Sequence, residues 1–139
     1  MEAARDPRWL IGSAAIALHG VPVEVADIDL LTSVADAERL FGERLAPAPP
    51  SGLFRSERFG RWSKHGIAVE LMAGLRLYRD GAWRDIFITG RVAVPLGVRT
   101  LYTPGVPGLL ALCRMFDRPK DRTRAALLEK AIKPPAGDR

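Results

Sequence analysis

The chain has 139 residues, of which 47% are hydrophobic and 27% charged, and its formal net charge is +5. This length predicts one domain with one core, spanning residues 1–139, and leaves no room for a second. Two histidines and one cysteine exclude an internal disulfide and argue against a zinc site. No apolar run approaches the roughly 18 residues of a membrane span, and the charged first ten residues are unlike a secretory signal. We therefore expect a cytoplasmic protein without a membrane partner.

The first predicted elements are a strand, a tight turn and a short helix. Trp9, Leu10 and Ile11 form the apolar strand, and Gly12-Ser13 turns the chain into an alanine-rich helix over residues 14–19. Free amides at a helix start attract phosphate oxygens, and glycine allows a close backbone approach. We therefore predict that Gly12 and Ser13 bind phosphate.

The second predicted strand carries two acids at alternating positions. Asp27 and Asp29 flank Ile28 and precede two leucines, so both carboxylates project from one face of the strand. Their repulsion is relieved when they bind a hard cation, and Mg²⁺ prefers carboxylate and phosphate oxygens. The pattern predicts a magnesium site at Asp27 and Asp29.

The middle of the chain predicts a helix followed by several strands. Ser33 and Asp36 form a capping box for a helix that extends to Leu45, and prolines then enforce a loop. Strands are predicted at 54–59, 67–72, 85–89, 91–94 and 98–102, with a turn at Gly90. Glu70 interrupts the apolar strand 67–72, and an ionised group there needs a partner or a metal. Glu70 is therefore the candidate third metal ligand.

Two helices are predicted at the C-terminal end of the chain. The first covers 107–117, and its apolar stripe includes Cys113, which we interpret as a core residue. The second starts at Asp121 as its cap and extends to Lys133. His19, far upstream, is expected to interact with the end of the short helix that it closes.

Charge is distributed unevenly along the chain. Residues 1–31 hold five acids and two bases, a net charge of −3, whereas residues 114–139 hold eight bases and four acids, a net charge of +4. A further basic run, Arg55, Arg58, Arg61 and Lys64, lies between the two acidic motifs. These basic runs either contact triphosphate or a polyanion such as RNA, or form an ordinary solvated surface.

Taken together, these pieces resemble the nucleotidyltransferase superfamily related to DNA polymerase β, in particular its small bacterial members. The matching residues are Ile11-Gly12-Ser13, then Asp27-Ile28-Asp29, then Glu70 on a later strand. The resemblance implies an α+β fold, with a mixed β-sheet flanked by helices over residues 8–102 and C-terminal helices over 107–133. It also implies that a basic residue in the last helices, Lys120, contacts the nucleotide. The alternative is that residues 118–124 are simply a capped, solvated helix start.

The activity implied by this resemblance is Mg²⁺-dependent transfer of a nucleoside monophosphate. The substrate would be a nucleoside triphosphate such as ATP, and the acceptor a hydroxyl of RNA, protein or a small molecule. Asp27, Asp29 and Glu70 would hold two Mg²⁺ ions, and Glu70 would also help to deprotonate the attacking hydroxyl.

Two other functions remain open from the sequence. In the resembling family the third acid is more often Asp, and an Arg or Thr commonly precedes the position of Asp27. These departures favour a catalytically inactive binding subunit, such as one component of a toxin–antitoxin pair. The basic runs would also suit a general RNA-binding module.

Overall fold

The computed structural model describes residues 4–88 and 90–132, without the side chain of Lys64. The strands are, in chain order, β1 (Trp9–Ile11), β2 (Asp27–Thr32), β3 (Leu45–Ala46), β4 (Phe54–Arg55), β5 (Arg58–Lys64), β6 (Ile67–Ala73), β7 (Arg76–Arg79), β8 (Ala82–Asp85), β9 (Val92–Leu96) and β10 (Arg99–Thr103). The helices are α1 (Gly12–Leu18), α2 (Val34–Phe41), α3 (Val106–Phe116) and α4 (Pro119–Ile132). The predicted α+β class, with a mixed sheet and C-terminal helices, is confirmed.

The central sheet has the strand order β1-β2-β6-β5-β3. β2 and β6 are parallel, whereas β1 pairs with β2, and β5 with β6, in antiparallel fashion. The register places Asp29 of β2 beside Glu70 of β6. Because residues at one register level project from the same face of a sheet, these two acids point the same way. The two acidic strands are thus neighbours in the sheet.

The two faces of the central sheet are covered differently. On one face, Ala37 of α2 packs with Leu71 of β6. Alternation along the strands directs Glu70 to the opposite face, where Leu31 of β2 belongs to a cluster with Leu112 of α3. The acids therefore lie on the face that α3 approaches.

Helices α1, α3 and α4 pack together around a second apolar cluster. Ile16, Leu109 and Leu128 are almost fully buried in it. Cys113 belongs to the same cluster, and burial raises the pKa of its thiol to about 11. The thiol is therefore a core group with little thiolate character at neutral pH, as the apolar stripe predicts.

The small sheets differ from the predicted strands. The chain forms a hairpin, β7–β8, whose turn contains Asp80 and Gly81, both with positive φ. The predicted strand at 85–89 is wrong, because Asp85 ends β8 and residues 86–88 are not a strand, while Thr89 lies outside the described residues. The tight turn predicted at Gly90, between strands 85–89 and 91–94, is also wrong, because residues 86–88 form no strand. The turn between β9 and β10 contains Gly97.

Several helix boundaries also differ from the predicted ones. Ser33 caps α2 by accepting a hydrogen bond from Asp36 N, but α2 ends at Phe41 and a 3-10 turn follows. Helix α4 begins at Pro119, before Asp121, whose carboxylate accepts a hydrogen bond from Arg118 N. The predicted end at Lys133 lies outside the described residues. No helix in the described part of the chain is long and apolar enough to cross a membrane.

His19 has a different partner from the predicted one. Its ring Nε2 lies 2.7 Å from Thr103 Oγ1 and 3.1 Å from Pro104 O. The ring therefore ties the end of α1 to the junction between β10 and α3 instead of contacting its own helix end.

Candidate active site

Three carboxylates meet on one face of the central sheet. Asp27, Asp29 and Glu70 each offer one oxygen, and these oxygens lie within 4.8 Å of one another. The parallel pairing of β2 and β6 creates this proximity, because it sets Asp29 and Glu70 side by side, two residues along the strand from Asp27. The structure thus brings together the three acids that the sequence analysis singled out.

The Asp29 carboxyl is held in an environment that disfavours its charge. Burial raises its pKa to about 7, and the charges of Asp27 and Glu70 act in the same direction. Lys120 and Arg124 oppose this effect. No described residue donates a hydrogen bond to the Asp29 carboxylate. An ionised Asp29 would be costly in this cluster unless a further cation joined it.

Gly12 allows the chain to pass directly beside Asp29. Its φ is +72°, and a Cβ at this position would lie 2.6 Å from Asp29 Oδ2. Any other residue would force the carboxylate to move. The residue that the sequence analysis assigned to phosphate binding is therefore also the one that makes room for a candidate metal ligand.

Ser13 is buried at the start of α1. Its Oγ accepts a hydrogen bond from Ala26 N at 3.3 Å, which ties α1 to the residue preceding β2. The hydroxyl proton is still available for donation. The assignment of Ser13 to phosphate binding stays a prediction.

Helix α4 supplies two cations to the site. Lys120 and Arg124 both lower the pKa of Asp29 through their charges, so both act on the acid cluster. They are four residues apart and therefore share one side of the helix. Lys120 was a candidate from the sequence, whereas Arg124 was missed. Its spacing from Lys120 was the available signal, but only the packing of α4 shows that this side faces the acids.

Arg118, the residue directly before α4, also helps to shape the site. The Arg118 guanidinium lies 5.0 Å from the Phe54 ring centroid and 5.6 Å from that of Phe116. It also donates a hydrogen bond of 2.6 Å to Asp121, which is almost fully buried. Arg118 is therefore held in place beside the cationic side of α4.

A cavity of about 260 Å³ lies in front of the acids. Acidic, basic and apolar residues line different parts of it. The acidic part is Asp27, Asp29, Glu70 and Asp121, the basic part is Arg55, Arg118, Lys120 and Arg124, and the apolar part includes Ile16, Phe59, Met72, Leu75, Leu109, Leu112 and Phe116. Residues 48–51 of the proline-rich loop also line it. The cavity thus joins a candidate metal site, a cationic edge and an apolar wall.

The basic run between the acidic motifs does not form one surface. Arg58 pairs with Glu38 of α2, whereas Arg61 pairs with Glu70 in the acid cluster. Arg55 lies over the Trp83 ring, 4.2 Å from its centroid. Because strand residues alternate, Arg58 and Arg61 lie on opposite faces of the sheet.

The donor set fits a hard divalent cation. The three acids offer carboxylate oxygens only, which are the ligands that Mg²⁺ and Mn²⁺ prefer. Asp27 and Asp29 reach the site from one strand and Glu70 from its neighbour, so the three candidate ligands are fixed by the sheet rather than by a loop.

Cation binding at this site should depend on pH, because the Asp29 proton competes with the metal. The pKa of Asp29 is about 7, so the carboxyl is largely protonated at pH 6 and ionised at pH 8. We expect Mn²⁺ affinity to fall about tenfold per pH unit below pH 7 and to level off above pH 8. Isothermal titration calorimetry at constant ionic strength measures this. An affinity that stays constant between pH 5.5 and 8 would contradict the assignment of Asp29 as a ligand.

A scan against protein-family models and a search of curated proteins found no match for this chain. Among solved structures, the chain is similar to a candidate nucleotidyltransferase, TM1012 from Thermotoga maritima. The two are 26% identical, with a TM-score of 0.67, over 94% of this chain and 86% of that one.

Two more distant structures share the fold. One is the lincosamide antibiotic adenylyltransferase LnuA with lincomycin bound, at 8% identity and a TM-score of 0.54 over 88% of this chain and 85% of that one. The other is ANT(2")-Ia in complex with adenylyl-2"-tobramycin, at 13% identity and a TM-score of 0.52 over 91% and 80%. With the acid cluster and the strand order above, these likenesses confirm the resemblance seen in the sequence. The chain is a nucleotidyltransferase-fold protein.

Proposed function

We propose that this protein is a metal-dependent nucleotidyltransferase. It transfers a nucleoside monophosphate from a nucleoside triphosphate to a hydroxyl group, and pyrophosphate leaves. The observation that carries this proposal is the convergence of Asp27, Asp29 and Glu70 within 4.8 Å, in a cavity that Lys120 and Arg124 of α4 also line. Carboxylates with cations nearby are what a metal–triphosphate complex requires.

Different residues would bind the metal and the triphosphate. Asp27, Asp29 and Glu70 would hold up to two Mg²⁺ ions. Bound there, the metal would stabilise charge on the attacking and leaving oxygens during an in-line displacement. Lys120 and Arg124 would face the triphosphate from α4 and neutralise part of its charge.

The apolar wall of the cavity suits the less polar part of a substrate. Leu109, Leu112 and Phe116 of α3 contribute to it, in the same cavity as the acids and the cations. A nucleobase or the body of an acceptor could pack there, because ligand sites commonly combine apolar walls with a few polar groups. Glu70 lies at the end of the acid cluster nearest β5 and is our candidate to help deprotonate the attacking hydroxyl.

ATP and a small hydroxylated molecule are the first substrates to test. LnuA is named as an adenylyltransferase, and ANT(2")-Ia was solved in complex with adenylyl-2"-tobramycin. Their low sequence identities to this chain show a shared fold and do not identify the acceptor. RNA and protein acceptors are therefore tested as well. The RNA-binding alternative has less support, because Arg58 and Arg61 do not share a face.

Label transfer tests this function directly. The protein is incubated with Mg²⁺ and each α-labelled nucleoside triphosphate, together with a dialysed bacterial lysate as the source of acceptors. We expect label in one size class, with pyrophosphate released in equal amount. ATP labelled at the γ position should leave the acceptor unlabelled. Bound nucleotide without transfer to any size class would favour the inactive binding subunit, which should instead capture one defined protein partner.

A further inference from the structure

Arg61 occupies a position next to the acid cluster that the proposed chemistry does not use. Three neighbouring strands place three charged residues at one register level: Asp29 on β2, Glu70 on β6 and Arg61 on β5. Residues at one level share a face, so the order of charge along this row is negative, negative, positive. The row of two acids therefore ends in a positively charged side chain, that of Arg61.

The Arg61 side chain is in direct contact with Glu70. Its Nη1 donates to Glu70 Oε1, and the two side chains form an ion pair. Arg61 is 54% exposed and Glu70 23% exposed, so the guanidinium lies at the solvent side of the pair. Glu70 offers its carboxylate to the candidate metal cluster as well. The same carboxylate thus belongs to the ion pair and to the candidate metal cluster.

We propose that Arg61 is an internal competitor of the metal, a positioning residue that holds Glu70 in the metal-free protein and gives it up when the cation binds. This inference rests on the proposed function only in that the acid cluster is taken to bind a divalent cation. The guanidinium offsets the repulsion between Asp29 and Glu70 while the metal is absent. The same contact weakens metal binding, because the ion pair is lost when Glu70 becomes a ligand.

The strength of this competition follows from the exposure of the pair. An ion pair exposed to water contributes little, because water screens the charges and the long side chain loses freedom when it is fixed. Removing Arg61 also removes a positive charge a few ångströms from the incoming cation. We expect Arg61→Met to bind Mn²⁺ about 3- to 10-fold more tightly than the wild type.

The test is a Mn²⁺ titration by calorimetry, without nucleotide, on the full chain. The variants are Arg61→Met, Arg61→Lys and the control Arg58→Met. Arg58 lies on the same strand and also has a glutamate partner, but it faces α2. The control therefore removes one charge and one ion pair without touching the acid cluster. We expect tighter binding only for Arg61→Met, with Arg61→Lys within about twofold of the wild type because it retains the charge.

Thermal unfolding gives a readout that a merely structural ion pair would not produce. Arg61→Met should unfold at a lower temperature than the wild type without metal, and saturating Mn²⁺ should raise its midpoint by more than it raises that of the wild type. A merely structural ion pair would lower both midpoints equally.

The outcomes separate this inference from the proposed function. Mn²⁺ binding by the wild type with equal or weaker binding by Arg61→Met would overturn the competition while leaving the metal site in place. Tighter binding by Arg58→Met to the same degree would also overturn it, since the effect would then be one of net charge. Absence of Mn²⁺ binding in every variant would overturn both the competition and the metal site.

Discussion

Asp29→Asn should abolish metal binding and reduce nucleotidyl transfer by at least about 10³-fold, because it removes a charged ligand from the centre of the acid cluster. Asp29 lies between Asp27 on its own strand and Glu70 on the next, so its carboxylate is shared by both sides of the cluster. Mg²⁺ with a nucleoside triphosphate should raise the melting temperature of the wild type but not that of the variant.

The same substitution should stabilise the metal-free protein. The pKa of Asp29 is raised from 3.8 to about 7 by folding, so the folded state binds the proton more tightly than the unfolded state does. Stability from this group is therefore greatest below about pH 4 and falls as the pH rises to 7. Above pH 7 the loss amounts to as much as about 4 kcal/mol, and asparagine avoids it.

Thermal unfolding of the metal-free proteins at several pH values measures this effect. We expect Asp29→Asn to melt higher than the wild type at pH 8, by about 5–10 °C, with the difference shrinking towards pH 4. Asp80→Asn removes the same charge in the exposed β7–β8 turn and should change neither stability nor activity. An Asp29→Asn protein that melts lower than the wild type at pH 8, or that still shows the Mg²⁺-dependent shift, would refute this account of Asp29.

Gly12→Ala should damage both the fold and the site. The φ of +72° costs a non-glycine residue about 1–2 kcal/mol. The added Cβ would also lie 2.6 Å from Asp29 Oδ2, so the carboxylate must leave its place. We expect lower thermal stability, loss of Mn²⁺ binding and a loss of transfer close to that of Asp29→Asn.

Gly20→Ala is the matched control for this substitution. Gly20 also has a positive φ, +81°, but a Cβ there would meet no atom within 4 Å. Both alanine variants should therefore share the backbone cost, as measured by chemical denaturation. Only Gly12→Ala should lose the metal. Equal Mn²⁺ affinities for the two variants would show that the contact between Gly12 and Asp29 has no role in the site.

The acid cluster could be predicted because its pattern is local. Asp27 and Asp29 alternate on one strand, so their common face follows from strand geometry alone. Glu70 was recognisable because a charged residue stands out in an apolar strand. Gly12 was recognised from its place after an apolar strand, although its contact with Asp29 depends on the packing of α1 against β2 and could not be read from the sequence.

The cations of the site depend on long-range packing and were harder to predict. Arg124 acts on the acids only because α4 packs with α3 beside the site. Arg61 and Arg58 belong to one basic run, but the register of β5 against β6 sends one to the acids and the other to α2. The β7–β8 hairpin was missed although Asp80-Gly81 is a typical hairpin turn. The apolar residues 86–88 suggested instead that the strand in this part of the chain covers 85–89.

Anomalous scattering from a crystal soaked with Mn²⁺ and a non-hydrolysable nucleoside triphosphate tests the central claim most directly. We expect a Mn²⁺ peak bonded to carboxylate oxygens of Asp27, Asp29 and Glu70, with the triphosphate between that ion and Lys120. Saturating Mn²⁺ and nucleotide that leave no peak among these three carboxylates would contradict it.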